Sequence, residues 1–165
     1  EMCIRDSNLG EGKLSNAEEN EVDYYKGIAY QKLGNDAEST KYLMKATQGS
    51  TEPQQAFYYN DQQPDKIFYQ GLAWRALGEE NKARSRFNKL IDHGKKHLFD
   101  DCKIDYFAVS LPELAIWEDN LNIRNQIHCY YVMALGYSGL GKEELAEEYY
   151  EKVKRLDVNK QVFRM

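Results

Sequence analysis

Cysteine is scarce in this chain, positive charge does not dominate it, and no long apolar run crosses it. Only Cys3, Cys102 and Cys129 occur in 165 residues, with no short-spaced pair among them. That excludes a disulfide framework and a cysteine-based zinc site, and makes a reducing compartment, the cytoplasm, the expected location. The net charge of −5 excludes a general attraction to nucleic acid or to an anionic membrane. No stretch of about 18 apolar residues is present, so no transmembrane helix is expected. The composition, 42% hydrophobic and 30% charged, suits one globular domain with exposed helices.

What the chain does contain is one phrase written three times. Gly27-Ile28-Ala29-Tyr30-Gln31-Lys32-Leu33-Gly34 is followed by Gly71-Leu72-Ala73-Trp74-Arg75-Ala76-Leu77-Gly78, and then by a degenerate copy, Ala134-Leu135-Gly136-Tyr137-Ser138-Gly139-Leu140-Gly141. A small residue is followed three positions later by an aromatic, then by Leu-Gly and a charged amphipathic stretch. A helix that ends on glycine and turns into a second helix has this pattern, and its recurrence predicts an all-helical repeat architecture.

The apolar spacing predicts helices over Glu21 to Leu33, Asp36 to Thr47, Pro64 to Leu77, Glu79 to Lys96, Leu121 to Leu140 and Lys142 to Leu156. Pro64 is placed in a first turn, where its missing N–H costs nothing. The turn glycines are 44 and then 63 residues apart. Two irregular insertions account for this spacing. One runs from residue 48 to 65, with a short helix expected at Gln54 to Tyr59. The other runs from 98 to 118, with a short helix over Leu111 to Trp117 capped by Ser110. Residues 1–7 match no part of the repeat and resemble a translated sequencing-adapter tail, which would make the natural chain longer upstream. Residues 8–20 read as a flexible lead-in, and residues 21–165 as the repeat domain, with units at about 21–47, 64–97 and 120–156.

These residues resemble the tetratricopeptide consensus. Gly27, Gly71 and Ala134 match its small close-approach residue, Tyr30, Trp74 and Tyr137 its gap-filling aromatic, and Gly34, Gly78 and Gly141 its turn glycine. Ala83 and Ala146 match the second-helix alanine, which Ser39 replaces in the first copy, and Leu43, Phe87 and Tyr150 match the bulky residue that follows. The consensus terminal proline is absent, with Val158 in its place in the last copy. The resemblance implies an all-α, tetratricopeptide-like α-solenoid of about three helix-turn-helix units with two irregular insertions. Longer phrases, among them Tyr58-Tyr59-Asn60-Asp61-Gln62, Ile67-Phe68-Tyr69-Gln70-Gly71-Leu72-Ala73 and Arg124-Asn125-Gln126-Ile127-His128, resemble the C-terminal helical region of large bacterial proteins of unknown function that carry a galactose-mutarotase-like β-sandwich domain. That resemblance implies a module of a carbohydrate-linked parent and identifies no catalytic residue here.

Candidate chemistry is thin. His93 and His97 share a helix face, but a zinc-protease motif needs glutamate after the first histidine, where Gly94 stands. They read as surface histidines near a helix end, with Gly94 stopping the helix before His97. His128 and Cys129 are adjacent in a helix and so point apart, which does not suit a dyad. The carboxylates sit beside lysines on solvated faces and do not converge. The expectation is therefore no catalytic residue, no cofactor and no metal. Aligned by the turn glycines, Tyr24, Phe68 and Tyr131, and one turn on Ile28, Leu72 and Leu135, line the concave face of the first helices. Lysine and asparagine, which clamp a peptide carboxylate in chaperone-binding members, are missing there. This stripe is either a hydrophobic groove for an apolar helix or loop, or is filled by residues 54–63 or 98–118 of the same chain. The expected role is a non-catalytic scaffold or docking module whose partner is another domain of the same parent. The alternatives are a stand-alone adaptor and a wall of a carbohydrate-processing active site.

Overall fold

The computed structural model describes residues 19–55, 62–102 and 120–157. Residues 1–7, most of the 8–20 lead-in, and the short helices expected at 54–59 and 111–117 lie wholly or largely outside them. The described residues form six α-helices in three pairs: α1 (Asn20–Lys32) with α2 (Asp36–Ala46), α3 (Pro64–Ala76) with α4 (Glu80–His97), and α5 (Leu121–Gly139) with α6 (Glu143–Leu156). The first helices of the pairs pack side by side, α1 on α3 and α3 on α5, and α4 packs along α5. Helix ends fall within a residue or so of the expected ones; α4, expected to end before His97, runs through Gly94 and includes His97.

The same cap closes each first helix. Asn35, Glu79 and Lys142 donate their backbone N–H to the carbonyls of Tyr30, Trp74 and Tyr137 at 3.0, 2.9 and 2.9 Å. The glycine before each donor lies in the left-handed region, with φ of 73°, 81° and 70° at Gly34, Gly78 and Gly141. This is the Schellman geometry, and it needs glycine because a Cβ resists that φ. Nothing lies within 4 Å of a Cβ built on Gly78, so a substitution there meets conformational strain alone. Gly78→Val is expected to cost about 1–2 kcal/mol, and Gly78→Asn clearly less, in urea denaturation. Equal costs for the two would show that the turn does not hold this geometry.

Close approach inside each pair comes from the residue seven before the turn glycine. A Cβ on Gly27 would lie 2.7 Å from Leu43 Cγ, and one on Gly71 2.4 Å from Phe87 Cε1. Phe87 also receives Gly139 of α5, whose Cβ would lie 2.2 Å from the ring, and Arg75 lies over it at 5.0 Å. One phenylalanine therefore plugs a socket made of two glycines from two successive first helices. Arg75 reinforces the joint by donating to the Gly139 carbonyl at 2.7 Å. Gly94 and Gly136 extend the tight seam: their Cβ atoms would meet Met133 Cγ at 2.5 Å and Ile91 Cγ1 at 2.6 Å. Close packing at this density leaves no room for even one added methyl. The gap-filling aromatics act within the pairs. Tyr30 stacks on Tyr42 at 5.5 Å, and Tyr137 on Tyr149 at the equivalent place, also at 5.5 Å.

The joint between the first and second pairs is built differently. Asn20 Nδ2 donates to the carbonyls of Ala46 and Gln48 at 2.8 and 2.9 Å. Gln70 Nε2 donates to those of Gln48 and Ser50 at 2.9 and 3.0 Å, and Gln62 Nε2 to that of Ser50 at 2.7 Å. Gln70 is fully buried, and its own carbonyl accepts from Arg86 Nε at 3.2 Å. Three buried amides thus satisfy the orphan carbonyls after α2 and tie that helix end to α1 and α3.

Candidate interaction surface

Phe68 and Leu135 are buried in one apolar cluster with Ile67, Ala83, Phe87, Leu90 and Val132, and half-buried Leu72 and Tyr131 pack against it. Tyr24 and Ile28 are half-buried against a second cluster of Leu43, Ala46 and Ala73. The six stripe residues are therefore split between two clusters. Tyr69, which the stripe did not include, links them: its ring lies 5.7 Å from those of Tyr24, Tyr25 and Phe68. Tyr131 donates to Asp65 Oδ1 at 3.5 Å and Tyr69 to Glu21 Oε1 at 3.4 Å. Burial, with these carboxylates nearby, raises both tyrosines well above the ordinary phenol range, so both stay neutral hydrogen-bond donors.

The N-terminal ends of α1 and α3 enclose a cavity of about 190 Å³. Glu19, Glu21 and Asp65 line it with Asn20, Val22, Gln63, Lys66 and Tyr69, so carboxylates outnumber the single cation. Asn20 Oδ1 is buried with no hydrogen-bond partner among the described residues. Tyr69 is the element that the sequence pattern missed. The signal for it was present, since it stands nine residues before Gly78, as Tyr25 stands before Gly34.

The histidines come together between α4 and α5. The His93 ring lies 4.6 Å from that of His97 and 6.1 Å from that of His128. His97 Nδ1 is 2.6 Å from Asp100 Oδ2, and His128 Nε2 is 2.8 Å from the Gln54 carbonyl. His93 is not the surface residue the sequence suggests: its Nε2 is buried and unpartnered. Burial first, then the neighbouring His97, pushes its pKa down to about 4. Cys129 turns away from His128 toward Asn125 Oδ1 at 3.7 Å, and burial pushes its thiol up to about 12. That is the reverse of what a nucleophilic thiolate requires. Among the described residues, no group of three or more His, Cys, Asp or Glu side chains is placed to hold a metal ion, and no helix is long and apolar enough to cross a membrane.

The depressed pKa of His93 has a consequence for stability. The unfolded chain binds the proton near the ordinary value of 6.5, while the folded one resists it down to about 4. Stability is thus unaffected above pH 6.5, falls as the pH drops toward 4, and is level below that in this contribution. The loss is about 2 kcal/mol once solvent screening of a partly exposed ring is allowed for. Urea denaturation at pH 7 and pH 4.5 checks this: His93→Gln should shrink the difference between the two. An unchanged difference would remove His93 as its source.

Residues 127–159, on α5 and α6, match the tetratricopeptide repeat family, as do residues 67–93 on α3 and α4. Two stretches of the chain are thus similar to tetratricopeptide repeats. Both matched stretches span a first helix, its Schellman glycine and a second helix, the units carrying the Gly71–Phe87 and Ala134–Tyr150 contacts. The fold is an all-α tetratricopeptide-like solenoid. No solved structure matches the chain significantly. Tetratricopeptide-like repeats suggest a scaffold or interaction module with protein partners, and such repeats are typically non-catalytic.

Proposed function

We propose that this chain is a docking module that holds another domain of its own polypeptide and performs no chemistry itself. The parent is a cytoplasmic, carbohydrate-linked bacterial protein, and the held domain is its mutarotase-like β-sandwich. The sequence phrases quoted above motivate the parent. The contact surface is the side of the first helices that carries half-buried Tyr24, Ile28, Leu72 and Tyr131, together with the acidic cavity between α1 and α3. One observation carries this reading. The cavity brings Glu19, Glu21 and Asp65 together with Tyr69 and the apolar Val22, a set rich in acceptors. Such a set suits recognition of a protein surface that carries lysine or arginine. The titratable groups that line it are carboxylates, Lys66 and the neutral Tyr69.

Hydrogen exchange of the chain with and without the separately expressed β-sandwich domain tests this. Protection is expected to gather on residues 19–28 and 63–72. Uniform or absent protection with the domain in excess would overturn the reading.

A further inference from the structure

The connector after α2 is fastened to the third unit through histidines. His128 Nε2 of α5 donates to the Gln54 carbonyl at 2.8 Å. At the end of α4, Asp100 Oδ2 accepts from Gln55 Nε2 at 3.4 Å and lies 2.6 Å from His97 Nδ1. His93 stands between these two anchors, its ring 4.6 Å from that of His97 and 6.1 Å from that of His128. Its Nε2 is buried and has no hydrogen-bond partner among the described residues. Residues 51–55 are held by side chains alone: among the described residues, no backbone–backbone hydrogen bond reaches them, and their other ties are Lys89 to Thr51 and Glu52 and Gln54 Oε1 to the Gln62 N–H. The helices beneath have no such freedom, because a Cβ on Gly94 would already lie 2.7 Å from the Cys129 carbonyl.

We propose that these three histidines form a proton-sensitive clasp, which ties the connector at Gln54 and Gln55 to α4 and α5 and releases it when His93 takes up a proton. A protonated imidazole carries an N–H on both nitrogens, so the charged ring would bury a donor with no acceptor. Among the described residues, the charged and titratable groups around it are Lys96 and His97 on α4, Asp100 just beyond, and His128 and Cys129 on α5. Lys96 and His97 oppose a charge on His93, Asp100 favours it but is already shared by His97 and Gln55, and the Cys129 thiol stays neutral. Charging His128 leaves the clasp closed, because its Nε2 donates to the Gln54 carbonyl in either state. With α4 and α5 in hard contact, the strain of a charged His93 is relieved by letting the connector go, a local opening distinct from unfolding. This inference does not depend on what the acidic cavity holds.

Nuclear Overhauser contacts between the His128 ring and Gln54, followed from pH 7 to pH 4 in the full chain, test this, with circular dichroism monitoring the helices. An imidazole that binds its proton near 6.5 when released and near 4 when clasped shifts the ratio of open to closed by about a hundredfold over that range. A clasp open about 1% of the time at pH 7 is then about half open at pH 4. The proposal predicts that the contacts fall to about half their intensity or less while the helical signal holds. In His93→Gln, and in His93→Phe as a second variant that takes up no proton, they should keep their full intensity over the same range. Full contacts in the parent at pH 4 overturn the proposal. So does an equal loss in the parent and both variants, which would assign the opening to Asp100 losing its charge. Loss of the contacts only together with the helical signal would mean global unfolding and equally overturn it.

Discussion

Gly71→Leu lowers the unfolding free energy by about 3 kcal/mol or more in urea, and broadens the transition. The added Cβ alone would lie 2.4 Å from Phe87 Cε1, and the ring has no free side to retreat to. Gly139 closes on the same ring from α5, and Arg75 covers its face. Displacing Phe87 therefore strains the pair of α3 with α4 and the joint to α5 together, which places this substitution at the upper end of overpacking costs. Gly71→Ala is the informative control, since it adds only the clashing atom and brings its better helix propensity. A Gly71→Leu protein as stable as the parent would show that α3 and α4 do not approach at this point, and the repeat register would fall with it.

Phe68→Ala costs about 3–5 kcal/mol, the range for truncating a core aromatic that cannot be refilled. Phe68 is 3% exposed, with Tyr69 and Phe87 rings 5.7 and 5.8 Å away. The loss is expected in chemical denaturation and not only in association. The sequence reading left two possibilities for this residue, an open groove and a filled one. A large stability loss is what the filled arrangement requires. A stability loss below about 1 kcal/mol would mean that the ring is dispensable to the core and free to serve a partner.

The legible part of the fold was its local part. A turn glycine at positive φ, the aromatic before it and the bulky residue nine after it are fixed within one helical hairpin, so Gly27 with Leu43 and Gly71 with Phe87 could be paired from spacing alone. What escaped depends on contacts between hairpins. Gly94 resembles a helix terminator in isolation, but it is held inside α4 because α5 presses Met133 and Cys129 against it. Gly136 and Gly139 are small for the same reason, and no property of α5 by itself reveals it. Asn20 and Gln62 read as lead-in and linker, yet they are buried, as is Gln70, because the chain after α2 leaves carbonyls that only an amide from elsewhere can satisfy. His93 was read, with His97, as exposed because histidines near the end of a helix suit its dipole. The packing of His97 and His128 around it is again nonlocal. At the interaction surface, the stripe of six residues was legible as a set of equivalent positions, but Tyr69 and the carboxylates that complete the cavity lie off that stripe.

A calorimetric titration tests the central claim most directly. The full chain is titrated with the separately expressed mutarotase-like domain, and the experiment is repeated with Asp65→Lys after its helical content has been checked. The account predicts one-to-one binding with a Kd of about 10 μM or tighter, the range of a contact between domains, weakened about tenfold or more by the charge reversal. No binding at millimolar concentrations, or an affinity indifferent to Asp65→Lys, would contradict it.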